Sequence, residues 1–109
     1  MGADAPLGTF EEQILLAVLR TGEQAYGMSV RREIESVTDR EVAIGAVYVT
    51  LERLEAKGVL ESTRTRGDVS RRVFAVTLAG RQALANSRAM RERLWDGVKL
   101  GTIVGEAAG

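Results

Sequence analysis

The chain contains no cysteine and no histidine. The first absence removes a disulfide framework and thiolate chemistry, and the two together leave the usual zinc-ligand spacings unwritable. Catalysis without either residue needs a carboxylate pair or an activated Ser or Lys, and the sequence holds no Ser-x-x-Lys motif and no Gly-rich phosphate loop. No catalytic residue, no metal site and no cofactor are therefore expected, and an enzyme is the class most directly argued against. Net charge is absent too: Lys and Arg number 15, as do Asp and Glu, which speaks against a protein that coats nucleic acid by bulk charge. No apolar run approaches the ~20 residues of a membrane span, and the first residues lack the basic and apolar regions of a signal peptide. A cytoplasmic protein with no membrane partner is expected.

Charge is present in patches. Residues 1 to 43 carry a net −4, whereas residues 61 to 81, with Arg64, Arg66, Arg71, Arg72 and Arg81 against Glu61 and Asp68, carry a net +3. One end of the molecule is thus basic. A length of 109 residues allows one small domain that gains from self-association.

The only proline, Pro6, lies in a small-residue arm over residues 1–8. Thr9 and Glu12 have the T-x-x-E spacing of a capping box, which predicts that a first helix starts there. Phe10, Ile14, Ala17 and Val18 form its inner face, and Leu15, Leu16 and Leu19 widen the stripe until Thr21-Gly22 ends it. So broad a stripe needs a second partner, either the carboxy-terminal helix or another subunit. Tyr26, Val30, Ile34 and Val37 mark a second helix with Arg31, Arg32, Glu33 and Glu35 outside. Glu41-Val42-Ala43 has the character of a very short strand.

The stretch from Ile44 to Leu60 is the centre of the chain. Val47, Leu51 and Leu54 recur at i, i+4 and i+7 and form a buried stripe, and Gly58 stops the helix. About half a turn away lie Gly45, Ala46, Val49, Glu52, Arg53 and Ala56, mostly small side chains that permit close approach by another surface. That face suits ordinary packing, and it also suits a helix in a DNA major groove. Ala43 stands where a side-chain cap would be preferred, which leaves the first N–H groups for a phosphate or water.

Beyond Gly58, VLESTRT and RRVFAVT are two strands joined through Arg66-Gly67-Asp68-Val69-Ser70, a β-hairpin with Phe74 and Val76 toward the core. The Arg66-Gly67-Asp68 triplet is read as turn chemistry and not as an adhesion motif. Thr77 opens a last helix to about Leu100, with Ala83, Ser87, Met90, Leu94 and Val98 in a stripe and Trp95 beside it. The expected division is an arm over 1–8, a domain over 9–76, a helix over 77–100 and a tail over 101–109.

Three helices, a basic hairpin and a long helix follow the order of a winged helix-turn-helix with an added dimerisation helix: mostly α with a small β-hairpin. The chain resembles PadR-family transcriptional regulators of the short form. The matching pieces are Leu7-Gly8, Ala25-Tyr26-Gly27, Gly45-Ala46-Val47-Tyr48, Arg53-Leu54-Glu55-Ala56-Lys57-Gly58, and Arg71-Arg72 running to Val76-Thr77-Leu78-Ala79-Gly80. Two departures concern the wing: Val73-Phe74 replaces the family's usual aromatic pair, and its Gly-rich basic tip is only partly kept. The resemblance implies a homodimeric DNA-binding regulator, usually a repressor, that responds to a small molecule and binds a pseudo-palindromic operator in double-stranded DNA.

On that basis Gly45, Ala46, Val49 and Arg53 face the groove, while Arg64, Arg66, Arg71 and Arg72 reach phosphates or the minor groove. Tyr48 has two readings, a phosphate contact through its hydroxyl or a core-edge tyrosine. Glu52 is unfavourable near phosphates unless it accepts from a cytosine amino group or pairs with Arg53. Met90, Leu94, Trp95 and Val98 are expected at the dimer interface. Trp95 also has an effector reading, since the resemblance implies a cleft between paired tryptophans that takes flat aromatic molecules; plain interface packing is the other. A winged-helix adaptor that binds protein and not DNA remains the competing class.

Overall fold

The computed structural model describes residues 6–65 and 71–101. Its elements are α1 (Thr9–Thr21), a 3-10 turn (Gly22–Gln24), α2 (Gly27–Thr38), α3 (Ile44–Ala56), β1 (Leu60–Arg64), β2 (Arg72–Val76) and α4 (Leu78–Trp95). The strands pair antiparallel from Leu60 opposite Val76 to Arg64 opposite Arg72. This is the expected winged helix with an appended helix, mostly helical with one hairpin.

One core joins all the elements. Ile14, Leu15 and Val18 of α1 meet Val30 and Ile34 of α2, Val47, Leu51 and Leu54 of α3, Phe74 and Val76 of β2, and Ala83 and Leu84 of α4. Strand alternation turns Phe74 and Val76 inward and leaves Ala75 exposed. The Phe74 N–H donates to the Ala25 carbonyl (2.7 Å), so the wing is also tied to the segment that leads into α2. Gly58 takes φ +82°, and behind it the Val59 N–H reaches back to the Leu54 carbonyl (3.1 Å), closing α3 as only a left-handed residue allows. Thr77 caps α4 by accepting from the Gly80 N–H (3.1 Å), and its hydroxyl donates to the Gly58 carbonyl (2.8 Å). The end of α3, the wing and the start of α4 therefore form one junction.

Four local expectations are corrected. The first helix is entered from Gly8, whose N–H donates to Glu11 Oε1 (2.9 Å); glycine has no side chain to complete a capping box, so this single bond, one residue earlier, replaces the expected Thr9/Glu12 box. Glu12 instead pairs with Arg91 of α4, a contact between residues far apart in sequence. No strand forms at 41–43; α2 pins that connector, with Arg31 donating to the Val42 carbonyl (2.9 Å) and Glu35 accepting the Val42 N–H (2.8 Å). Tyr26 precedes α2 as its N-cap and Val37 is 57% exposed, so the buried stripe of α2 narrows to Val30 and Ile34. Finally, α4 stops at Trp95 and not near Leu100, because Gly97 takes φ +78° and turns the chain. Val98 is thereby off the helix.

Arg66 and the Arg66-Gly67-Asp68 turn, the first five residues of the arm and the tail from 102 lie outside the described residues. The Cα radius of gyration is 16.1 Å, against about 13 Å for a compact chain of this length. Every residue from Arg91 to Gly101, the last turn of α4 and the segment after it, is exposed.

Candidate nucleic-acid interface

The site is built on α3, whose burial pattern follows from its sequence. Val47, Thr50, Leu51 and Leu54 point inward, and Gly45, Ala46, Tyr48, Val49, Glu52, Arg53 and Ala56 are exposed. No side chain caps the helix at Ala43. Gly45 has open space where a Cβ would stand, and Val49 is 59% exposed at the middle of the outward face. Along the middle of that face lie Gly45, Val49 and Ala56, which bear no polar side-chain atom, and Glu52, whose side chain is 62% exposed.

Two ion-pair networks flank that face. On the wing side, Arg72 of β2 donates to Glu52 Oε2 (2.9 Å), to Glu55 and to Ser62 Oγ (3.1 Å), with its guanidinium 5.1 Å from the Phe74 ring centre. The Ser62 hydroxyl donates to Glu55 (2.7 Å), and that bond, with the Arg72 charge, holds the Glu55 carboxyl below its ordinary range despite slight desolvation. Glu52 thus finds its partner in Arg72 and not in Arg53. On the other side, Glu11 of α1, almost fully buried, accepts from Lys57 Nζ (2.9 Å) and lies 3.7 Å from Arg53 Nη1. Burial alone would raise the Glu11 pKa, but the Lys57 bond, the Gly8 N–H and the two cations outweigh it and the net direction is down. More than half of the Arg53 side chain remains exposed.

The wing-side rim continues onto α2. Tyr48 lies over the backbone of Gly27, where any Cβ would collide with its ring, and this contact fixes a tyrosine that is 45% exposed. One residue earlier, Tyr26 receives a hydrogen bond on its hydroxyl from Arg32 (3.3 Å), and the Arg71 guanidinium stacks 4.2 Å from its ring centre. The Arg32 bond, helped by the Arg71 charge, lowers the Tyr26 pKa against the opposing effect of desolvation. The structure so brings Tyr48, Arg71 and Arg72 to one edge of α3, with Arg64 exposed on β1 opposite Arg72, and sets Arg53 on the other edge. Arg66 lies outside the described residues.

Arg32 and Tyr26 are not among the site residues that the sequence suggests. Helical spacing puts one on a solvated face and the other in the core stripe, although the Ala25-Tyr26-Gly27 piece signals a close approach at that point. Lys57 and Glu11 escape a reading of the sequence because their pairing spans 46 positions.

At the far end, Met90, Leu94 (71% exposed), Trp95 (56%) and Val98 are uncovered, and a groove between α1 and α4 is lined by Leu16, Leu19, Leu84 and Ala85. Among the described residues no group of His, Cys, Asp or Glu could hold a metal ion, and no helix is long and apolar enough to cross a membrane.

The model of the transcriptional regulator PadR-like family matches residues 15–86. No curated protein compared with the chain matches it. Among solved structures, RosR from H. salinarum aligns at 25% identity over 85% of this chain and 81% of its own, with a TM-score of 0.68. A transcriptional regulator from Clostridium thermocellum aligns at 22% identity over 78% and 85%, with a TM-score of 0.67. A PadR family transcription regulator from Clostridium difficile aligns at 17% identity over 80% and 95%, with a TM-score of 0.62. The last two likenesses speak to the fold. A family match over well over half of the chain, a winged helix with an open recognition face and a cationic rim converge: the chain belongs to the PadR-like family of transcriptional regulators, DNA-binding proteins and not enzymes.

Proposed function

We propose that the protein is a ligand-responsive homodimeric repressor that binds a pseudo-palindromic operator in the cytoplasm. The observation that carries the DNA reading is the outward face of α3, left without packing partners and rimmed by Tyr48, Arg53, Arg64, Arg71 and Arg32. In this reading Gly45, Ala46 and Val49 enter the major groove, and Arg53 reaches a guanine or a phosphate from the α1 edge. Arg64, Arg66 and Arg71 hold phosphates or the minor groove beside it. Arg72 has a double role: it lies on the phosphate side of the wing and it neutralises Glu52 and Glu55 there.

Dimerisation is assigned to Met90, Leu94, Trp95 and Val98, because such a run of uncovered apolar side chains at the end of an otherwise packed chain calls for a second copy. Two copies present two α3 helices, hence the pseudo-palindrome. Trp95 is the contact assigned to a small aromatic effector near the two-fold axis. The test is binding to the DNA upstream of its own reading frame at two salt concentrations. Salt-sensitive binding that exceeds binding to random DNA supports the regulator; no binding at either salt favours the adaptor reading.

A further inference from the structure

We infer that the operator is read chiefly through thymine methyl groups, with Val49 as the specificity-determining residue and Ala46 beside it; this rests on the DNA-binding reading above. Each base pair shows a donor and acceptor pattern in the major groove, and only thymine also shows an apolar group there. A helix that reads the pattern needs free donors or acceptors on its outward face. On α3 the central positions Gly45, Val49 and Ala56 have none, and neither does Ala46. Of the polar side chains on the same face, Glu52 is held by Arg72 at 2.9 Å, and Arg53 stands at the α1 edge, 3.7 Å from Glu11. The Tyr48 hydroxyl sits over Gly27, off the central line. Near the middle of the face stands a branched apolar side chain, 59% exposed in the free protein.

The two Val49 methyls have no packing partner in the free protein, and a thymine methyl in the groove would cover them. The open space at Gly45 lets the first turn of α3 come close enough for those short side chains to touch base edges. The wing-side network then serves specificity as well as folding, since Arg72 neutralises the Glu52 carboxylate beside the side chains that meet the methyl groups.

The experiment uses the full chain. A preferred duplex is first selected from a random-sequence pool, and its thymines are then replaced one at a time by deoxyuridine, which removes only the methyl group and keeps the pairing with adenine. At one or two thymines per half-site the affinity is expected to fall about fourfold, the worth of one buried methyl-sized group, and that dependence is expected to disappear in Val49→Ala. Val49 is exposed, so the substitution leaves the fold intact, which thermal unfolding checks. Equal binding of thymine and uracil duplexes overturns the inference while leaving DNA binding standing. A uracil effect that persists undiminished in Val49→Ala overturns the assignment to this residue. Failure to select any preferred duplex overturns the DNA-binding reading and the inference with it.

Discussion

Tyr48 and Gly27 act as one unit at the scale of single residues, because the ring occupies the space that a Cβ on Gly27 would need. Gly27→Ala pushes the half-exposed ring outward at a modest stability cost, about 1 kcal/mol, yet moves the hydroxyl from its place at the edge of α3. The expected outcome is that Gly27→Ala and Tyr48→Ala weaken DNA binding by similar factors and that the double variant is no worse than either. Additive effects, measured by fluorescence anisotropy, would separate the two residues. Glu11 is a residue whose protonation bears on folding, since it joins the entry of α1 to Lys57 and Arg53 at the end of α3. Its carboxyl pKa is lowered in the folded chain, so its contribution is complete above the usual glutamate range, near 4.3, and is lost as pH falls through the lower folded value. Melting temperature is expected to hold from neutral pH to about 5 and to drop below about 4. Glu11→Gln, which costs about 1 to 3 kcal/mol at neutral pH because the charged hydrogen bonds go, should flatten that drop; an identical acid profile in the variant would contradict the role.

Between elements, Arg72 is the link from the wing to α3, bonded to Glu52, Glu55 and Ser62 at once. Removing it does more than delete a cation, because it leaves two carboxylates uncompensated on the side that the proposed function turns toward phosphate. Arg72→Ala is therefore expected to reduce DNA affinity more than Arg71→Ala, and adding Glu52→Gln should recover part of that affinity. If the second substitution recovers nothing, the wing-side network has no bearing on binding. How much of this is legible in the sequence depends on distance along the chain. Val47, Leu51 and Leu54 declare their burial by period, and the alternation around Phe74 declares the second strand, because both patterns are local consequences of backbone geometry. The end of α4 is hidden although Gly97 is in plain view, since a glycine inside an apolar period does not announce a left-handed conformation until the chain turns there. The Thr9/Glu12 box gives way to the Gly8–Glu11 bond because Glu11 and Glu12 are adjacent and each has a distant partner, Lys57 and Arg91, that no local spacing announces. The ion pairs of Arg72 with Glu52 and Glu55 depend on how the hairpin folds back over α3, which no helical or strand spacing encodes.

For the whole molecule, the proposed second chain would cover the exposed end of α4, where Leu94 and Trp95 lie uncovered. Light scattering is expected to give twice the chain mass at tens of micromolar, roughly the range in which weak association is seen; a monomer there would remove the paired half-sites. Trp95→Ala then divides its two readings: an intact dimer that no longer binds flat aromatic molecules marks a ligand contact, and dissociation marks an interface anchor. The charge balance of the chain is zero, so affinity for DNA must come from a few placed cations and not from bulk charge. Its most direct test is the salt dependence of binding to a selected duplex, compared between the wild type, Arg71→Ala and Arg32→Ala. Each substitution is expected to lower the slope of log affinity against log salt by about one for every phosphate that the variant no longer touches, with sequence preference unchanged. Slopes equal to the wild type in both variants would take Arg32, Tyr26 and Arg71 off the DNA and contradict the placement of α3 in the groove beside them.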